Sequence, residues 1–309
     1  MAKNYFPHFD LYGKDFRRPV KKEDFGGLFL SYERLIFFGA AGIAVRYIAP
    51  WVEDKGKDPA VVVIDPLGRY VIPILSGHLG GANALAVELA KMLGAEAILT
   101  TASDSLGFEA MDIFAQRADY AFDDRKAMKN IAAAMVAGKT IRWFSEEALK
   151  PDYAFIQPVD HWEAADVVDG VVVSRKNVDV KYALRLVPRR IHVGVGSRKG
   201  TDGVDLVALI KSVLEELDRH PLSISAIHTI DVKKDEPSIV YASETLKVPL
   251  RIHRAESLRK YEGRCTGSEF VKATVGVSGV SCPAALMGAE HILAEKVRSH
   301  GLTVTVTEE

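Results

Sequence analysis

Short apolar runs and helix-like periodicity alternate along the first third of the chain. Residues 34–39 (RLIFFG) and 60–65 (AVVVID) are continuous apolar segments, which predict buried strands. Between them, residues 40–50 (AAGIAVRYIAP) predict a helix that Pro50 ends. Residues 82–93 carry leucines and methionine on one helical face and stop at Gly94, which predicts a helix with a glycine C-cap.

Two further apolar segments lie beside polar loops. Residues 70–75 (YVIPIL) predict a strand, but Pro73 lacks an N–H and should therefore keep that strand out of a central place in the sheet. Residues 97–104 (AILTTASD) predict a strand that runs into a polar loop. The order of these elements indicates an α/β domain.

The remaining sequence divides into a less regular middle and a second α/β pattern. In the middle, a helix that begins near Asp124 precedes three short strands, TIRWF, GVVVS and ALRLV. The last part contains strands in RIHVGVGS and VPLRIH, an apolar helical face between them, and a glycine-rich loop that enters a helix. We therefore predict an α/β fold with an N-terminal α/β domain (1–119), a small middle α+β insertion (120–188) and a C-terminal α/β domain with a mixed sheet (189–309).

Composition excludes several classes of protein. An apolar fraction of 48% is ordinary for a packed protein, so the chain is not disordered. With 40 basic and 41 acidic residues, it lacks the basic excess of a general nucleic-acid or membrane-surface binder. Cys265 and Cys282 form no zinc pattern or disulfide framework, and we expect Cys282 to be a small buried thiol. The chain start lacks the apolar core of a signal peptide, and the longest apolar run is too short to span a bilayer, which favours a cytoplasmic protein.

The most distinctive stretch is 75–83, LSGHLGGAN, which concentrates glycine and polar residues before a predicted helix. Glycines at a helix start let backbone N–H groups approach an anion, and the helix dipole favours negative charge there. Ser76, Gly77, Gly80 and Gly81 are the candidate ligand-binding positions. Close helix packing, with His78 as an ordinary loop residue, is the alternative. The stretch lacks the Gly-Lys-Ser/Thr ending of a phosphate-binding P-loop.

Other polar positions leave two interpretations open. Thr101 and Asp104 in TTASDS could bind a substrate hydroxyl or orient water, or they could cap a helix. Arg46, in an apolar segment, is either a salt-bridge partner or a clamp for a carboxylate.

A second glycine-rich stretch, 194–200 (GVGSRKG), carries Arg198 and Lys199 on a predicted strand-to-helix turn. Its third glycine comes one residue late for a dinucleotide-binding fingerprint. The stretch fits carboxylates or phosphates at a helix start, or a solvated turn. The mixed charges of the run 231–237 (DVKKDEP), which includes Lys234 and Glu236, on their own predict a solvated loop. Several anion-binding helix starts without a nucleotide signature indicate a ligand that bears several carboxylates.

Several of these stretches together resemble a known family. They are GAAGIAVRYIAP, residues 58–104 from DPAVVVIDPLGRY to ILTTASD, VGVGSRKGT, IDVKKDEP and the segment from SEFV to GVSGV. They are similar to the cobalamin-biosynthesis G proteins (CbiG), the cobalt-precorrin-5A hydrolases. The likeness begins near Phe38 and is most specific over 65–104. In this family another strand and helix commonly precede the region of Phe38, so we expect a shortened N-terminal domain with a short, polar leading segment.

The resemblance implies a hydrolase of anaerobic vitamin B12 (corrin) biosynthesis. Water opens the δ-lactone of a cobalt-bearing polycarboxylate tetrapyrrole, acetaldehyde leaves, and cobalt-precorrin-5B results. The substrate would carry the cobalt, so no protein-bound cofactor or metal is expected. Neighbouring pathway enzymes and a second copy of the chain are candidate protein partners, and nucleic acid and membrane are not. The alternatives are a non-catalytic corrinoid carrier and an α/β enzyme that binds a nucleotide or sugar phosphate.

For this chemistry we assign roles from residue type. His78 would be the base that activates water, since its side chain titrates nearest neutrality. Backbone N–H groups around 77–81 would stabilise the oxyanion. Asn83 would hold the lactone or an acetate arm, and Asp104 would orient His78 or assist carbon–carbon cleavage. The peripheral carboxylates would pair with four cationic side chains, those of Arg46, Arg198, Lys199 and Lys234. Thr101 and Glu236 are further candidate substrate-binding residues.

Overall fold

The structure is a computed structural model that describes residues 10–12, 20–54, 56–78, 80–162, 169–178 and 180–309, with the backbone only at 270, 274 and 275. Its described strands form three sheets accompanied by helices, which confirms the predicted α/β class. The chain divides into two compact units, Met1–Gln116 with Pro151–Ala154, and Arg117–Lys150 with Phe155–Glu309. The middle and C-terminal sheets thus belong to one unit, and the three-domain division stays a prediction.

The N-terminal sheet has the strand order β1-β2-β3-β4. Its strands are β1 (Arg34–Phe38), β2 (Ala60–Ile64), β3 (Tyr70–Leu75) and β4 (Glu96–Ala97). Strand β2 runs parallel to β1 and antiparallel to β3, and β4 runs parallel to β3. The helices of this unit are α1 (Phe25–Ser31), α2 (Ala41–Ile48), α3 (Ala82–Leu93), α4 (Ala102–Leu106) and α5 (Met111–Arg117).

The apolar run in β2 is continuous because helices cover both faces of the strand. Val62 and Ile64 pack with the leucines of α3. On the other face, Val61 packs with Phe25 and Phe29 of α1 and with the end of α2. The expectation of a merely polar leading segment is therefore wrong, since α1 contributes two buried phenylalanines to the core.

The position of β3 corrects a second expectation. The strand lies inside the sheet, between β2 and β4, although Pro73 predicted an edge place. Strand β4 has only two residues and pairs only with Tyr70 and Val71. Among the described strands, the part of β3 that contains Pro73 thus has no neighbour on that side. The missing N–H of Pro73 therefore costs the sheet no hydrogen bond.

The middle sheet confirms the three short strands predicted for this region. Its order is β5-β9-β8-β6-β7, and all pairs are parallel except β5 with β9. The elements are β5 (Tyr120–Ala121), α6 (Arg125–Val136), β6 (Ile141–Ser145), β7 (Ile156–Pro158), β8 (Gly170–Val173) and β9 (Leu184–Pro188). Helix α6 begins where the sequence predicts, because the Asp124 carboxylate accepts from two backbone N–H groups of its first turn.

The C-terminal sheet is mixed, as predicted, with the order β12-β11-β10-β14-β13. Its strands are β10 (Ile191–Ser197), β11 (Ile224–Ile230), β12 (Leu250–His253), β13 (His291–Ser299) and β14 (Leu302–Glu308). Its helices are α7 (Gly203–Glu216), α8 (Pro237–Leu246), α9 (Ala255–Arg259), α10 (Glu269–Val275) and α11 (Ser281–Leu286). Strands β10, β11 and β12 run parallel, so their carboxyl ends share one edge. Single 3₁₀ turns occur at Lys22–Asp24, Pro221–Ser223, Asp231–Lys233 and Glu262–Arg264.

Gly194 lies within a strand, not in the strand-to-helix turn predicted for 194–200. Strand β10 continues to Ser197, and Gly194 faces α11. A Cβ at Gly194 would overlap the Ser281 carbonyl oxygen and lie 2.6 Å from the Ala285 nitrogen. This glycine therefore allows α11 to pack directly on the sheet.

We expect Gly194→Ala to lower the free energy of unfolding by about 1–3 kcal/mol, because the added methyl group must displace backbone of α11. Urea unfolding followed by circular dichroism measures the change. Gly263→Ala is the matched control, since a Cβ there meets nothing within 4 Å. Equal stability of the two variants would contradict the packing role.

The two cysteines also differ from expectation. Cys265 and Cys282 form a disulfide between the segment after Glu262–Arg264 and α11. The prediction of a free buried thiol at Cys282 is wrong, although its side chain is fully buried as expected. The sequence does not predict this pairing, because the two cysteines are 17 residues apart and only the fold brings their sulfurs together.

Candidate active site

The fold brings the two polar segments of the N-terminal unit to one edge of its sheet. Strands β3 and β4 are parallel neighbours. The loop 76–81 follows the carboxyl end of β3, and residues 98–104 follow that of β4. Ligands of open α/β sheets usually bind outside such strand ends.

The loop after β3 needs its glycines for close approach. A Cβ at Gly77 would lie 2.7 Å from Asn83 Oδ1, and a Cβ at Gly80 would overlap the Ser76 side chain. Ser76 itself has a φ of 55°, and its hydroxyl donates to the Asp58 carbonyl oxygen at 3.0 Å. Gly77, Gly80 and Gly81 are partly exposed, so a ligand can reach this loop, although Leu79 lies outside the described residues.

The start of α3 is less open to an anion than the sequence predicts. The Gly81 N–H donates to the His78 carbonyl at 2.9 Å, Ala82 to Ser76 at 3.1 Å, and Asn83 to Gly77 at 2.9 Å. These three donors are therefore already used inside the loop. Within the described part of the chain, no acceptor is found for the N–H groups of Gly77 and Gly80, so these two glycine-loop donors are available to a ligand.

His78 is the centre of the polar group. Its side chain is 24% exposed, and its Nε2 lies 3.2 Å from Thr101 Oγ1 and 3.3 Å from Ser103 Oγ. Nδ1 lies 3.6 Å from an Asp112 carboxylate oxygen, and Nε2 lies 3.8 Å from Asp104. The two carboxylates stabilise the positive charge that the ring acquires when it takes a proton.

Asn83 and Thr101 hold Asp104 in place. Asn83 Nδ2 donates to Asp104 Oδ2 at 2.7 Å, and the Thr101 hydroxyl donates to the same oxygen. Asn83 is only 9% exposed, and its amide is committed to this contact, which favours a positioning role over the predicted contact with substrate. Thr101 precedes α4 as its N-cap residue, but its side chain makes no capping bond and serves Asp104 instead.

Sequence reasoning missed two members of this group. Asp112 lies in the first turn of α5, and Ser103 is buried in α4. Ser103 belongs to TTASDS and could have been considered there, whereas no local signal marks Asp112. Arg46 is exposed on α2, and within the described residues no ion pair is recorded for it. The structure therefore does not bear out the salt-bridge interpretation of Arg46.

The other predicted binding residues lie in the second unit and form their own group. Arg198, Lys199 and Lys234 are exposed. Glu236, by contrast, accepts from the Gly200 N–H at 3.3 Å and from Lys233 Nζ at 2.9 Å. The start of α7 is likewise occupied, since the carboxylate of Asp202 accepts from its first turn. The protein's own carboxylates thus occupy the helix start at which the sequence predicts a bound anion after 194–200.

The contacts of Glu236 predict a pH dependence of stability. The hydrogen bond from Lys233, with that from the Gly200 N–H and the nearby positive charges, lowers the pKa of Glu236. A carboxylate with a lowered folded-state pKa stabilises the fold above its unfolded-state pKa, and this contribution is lost as the pH falls through the folded-state pKa. We expect Glu236→Gln to be less stable than the parent near neutral pH and equal to it in strong acid.

Urea unfolding at about pH 7 and at about pH 3 measures this difference. Asp235→Asn is the control for loss of one carboxylate, since Asp235 is 87% exposed. A Glu236→Gln deficit that is the same at both pH values would contradict the ionic origin of the effect.

Two features are absent from the described residues. No group of three or more His, Cys, Asp or Glu side chains there could hold a metal ion. None of the described helices is both long and apolar enough to cross a membrane.

Comparison with known proteins identifies the family. The model described as Cobalamin synthesis G N-terminal matches residues 23–104, which include His78, Asn83, Thr101 and Asp104. The model described as Cobalamin synthesis G C-terminus matches residues 191–307.

Three curated relatives match most of the chain. Cobalt-precorrin-5A hydrolase of Salmonella typhimurium is 39% identical over 90% of this chain and 82% of its own length. The protein of the same name from Priestia megaterium is 31% identical over 90% of this chain and 79% of its own. The probable cobalt-precorrin-5A hydrolase of Methanocaldococcus jannaschii is 28% identical over 89% and 85%. Both family models and these relatives lead to one conclusion: the chain belongs to the cobalamin synthesis G (CbiG) family.

Proposed function

We propose that this protein is an enzyme of cobalamin biosynthesis that opens the δ-lactone of cobalt-precorrin-5A and releases acetaldehyde, giving cobalt-precorrin-5B. The observation that carries the proposal is the convergence of His78, Asn83, Thr101 and Asp104 beside the glycine loop. The names of the relatives supply the substrate.

The first step is attack of water on the lactone carbonyl. His78 accepts a proton from the water as its oxygen bonds to the carbonyl carbon. Asp112 and Asp104 stabilise the imidazolium, in the way that a buried carboxylate supports histidine in hydrolases. Collapse of the tetrahedral intermediate breaks the ester carbon–oxygen bond, and the leaving alkoxide takes the proton back.

The oxyanion of this intermediate needs hydrogen-bond donors. The N–H groups of Gly77 and Gly80 are the backbone candidates, since Gly81, Ala82 and Asn83 donate within the loop. Loss of one donor to an oxyanion typically lowers the rate about 10²–10³-fold.

The second step breaks a carbon–carbon bond. The freed hydroxyl loses its proton, its carbon–oxygen bond becomes the carbonyl of acetaldehyde, and the electron pair of the broken bond stays on the macrocycle, which takes a proton. The cobalt ion travels with the substrate in both steps. Exposed Arg46, Arg198, Lys199 and Lys234 are candidates for binding the peripheral carboxylates.

Incubation of the purified protein with cobalt-precorrin-5A, followed by an acetaldehyde assay, tests the proposal. We expect one acetaldehyde for each lactone opened. Binding without turnover would identify a carrier instead, and displacement by nucleotides but not by corrinoids would identify an enzyme of another class. A cytoplasmic location, a homodimer, contacts with neighbouring pathway enzymes and the lack of a protein-bound cofactor remain predictions from the sequence.

A further inference from the structure

Three histidines form a hydrogen-bonded row across the C-terminal sheet. His192 Nδ1 lies 2.9 Å from His228 Nε2, and His228 Nδ1 lies 2.9 Å from His253 Nε2. At the other end, His192 Nε2 lies 3.0 Å from a carboxylate oxygen of Glu309. We call these four residues the histidine ladder, or the ladder for short.

The ladder crosses the sheet diagonally beneath α11. His192 lies near the start of β10, His228 within β11, and His253 is the last residue of β12. His192 and His228 are 7% and 4% exposed, and a Cβ at Gly288, just after α11, would overlap the His192 ring. The middle of the ladder is therefore sealed from water, while His253 is half-buried at the carboxyl edge of the sheet.

Glu309 fixes the position of every proton in the neutral ladder. A carboxylate only accepts, so His192 carries its proton on Nε2 and accepts on Nδ1. His228 must then donate from Nε2 and accept on Nδ1, and His253 must donate from Nε2. His253 Nδ1 is thus left with a lone pair, and among the residues that the structure describes no partner is recorded for it.

The surroundings of His228 and His253 disfavour a positive charge on either ring. Burial, together with His192, His253 and Arg251, lowers the pKa of His228 to about 3. Burial and the charge of Arg251 also lower the pKa of His253. At the other end of the ladder, the Glu309 carboxylate lies beside His192 Nε2, and Arg190 lies 3.9 Å from its second oxygen.

We propose that the ladder is a proton relay and that His253 Nδ1 is a second acid–base group, which takes the hydroxyl proton of an anionic substrate at the carboxyl edge of the C-terminal sheet. As the hydroxyl proton moves to His253 Nδ1, the Nε2 proton of His253 moves to His228 Nδ1, and that of His228 moves to His192 Nδ1. The result is an imidazolium at His192 beside Glu309, and the reverse shift returns the proton.

The edge where His253 lies has the charge that such a substrate needs. Arg198 and Lys199 follow β10, and Arg254 follows β12, all of them exposed. Because β10 and β12 are both parallel to β11, these cations flank the open end of the ladder. The assignment rests on the proposed function, in which the hydroxyl freed by lactone opening loses its proton as the carbon–carbon bond breaks.

Nitrogen-15 NMR of the histidine side chains tests the relay without substrate. We expect His228 and His253 to be neutral at about pH 7, and each of the three rings to carry a proton on Nε2. A proton on His253 Nδ1 would overturn the relay. This measurement does not depend on the activity of the protein.

Single-turnover assays test the catalytic part, with lactone opening and acetaldehyde release measured separately. We expect His253→Gln to slow acetaldehyde release about 10²–10⁴-fold while lactone opening continues, so that the opened intermediate accumulates. Glu309→Gln, at the far end of the ladder, should slow the same step although Glu309 contacts no substrate. His291→Gln, an exposed histidine of the same sheet, is the control.

Acetaldehyde release at the parental rate in His253→Gln would overturn the assignment of this proton to His253. A parent protein that opens no lactone would instead overturn the proposed function and with it the substrate of the ladder. The NMR spectrum would still decide in that case whether the relay exists.

Discussion

Replacement of His78 by alanine is expected to lower the rate of lactone opening by about 10²–10⁴-fold, the usual contribution of a positioned general base. The effect should appear in kcat, since water attack needs the base only in the transition state, and KM should change little. Lactone opening under single-turnover conditions measures it. Added imidazole should restore part of the rate, because the lost ring leaves space beside Thr101 and Ser103.

The control for His78→Ala is His161→Ala, which removes an exposed histidine from the second unit. Both variants should unfold at the parental urea concentration, since His78 is partly exposed and its loss empties no apolar core. Lactone opening at the parental rate in His78→Ala would show that another group activates the water.

The N-terminal site could be predicted in part because its signals are local. A β-branched run, a glycine loop and a leucine-bearing helix follow one another within 60–93 and predict β2, the loop and α3. The convergence of His78 with Asp104 then follows from topology, since their loops leave two adjacent parallel strands. Asp112 could not be predicted, because it comes from the next helix and no spacing relates it to His78.

The histidine ladder depends on strand register, which the sequence does not reveal. His192 and His228 each occur in an apolar strand pattern that is typical of an ordinary core position, whereas His253 ends the partly exposed strand LRIH. Only the parallel pairing of β10 with β11 and of β11 with β12 brings their rings into one row. The role of Gly194 is also hidden in the sequence. A side chain there is excluded by α11, which lies about 90 residues away along the chain.

The disulfide between Cys265 and Cys282 gives the second large expected effect, this time on stability. Closing a loop between residues 17 apart should stabilise the fold by about 3 kcal/mol, by restricting the unfolded chain. We therefore expect dithiothreitol to lower the free energy of unfolding by about this amount, as measured by urea unfolding with and without reductant. Cys265→Ser is the matched variant. Without reductant it should have the same lower stability as the reduced parent protein, and dithiothreitol should not change it.

The disulfide should also affect the histidine ladder, because Cys282 lies in α11. This helix packs on Gly194, and the turn that follows it covers His192. Loosening α11 should admit water to the ladder and slow acetaldehyde release more than lactone opening, because the residues proposed for lactone opening lie in the other unit. Alkylation of both thiols in the folded, unreduced protein would contradict the disulfide. Equal loss of the two reaction steps on reduction would instead argue that α11 supports the whole enzyme and not the ladder alone.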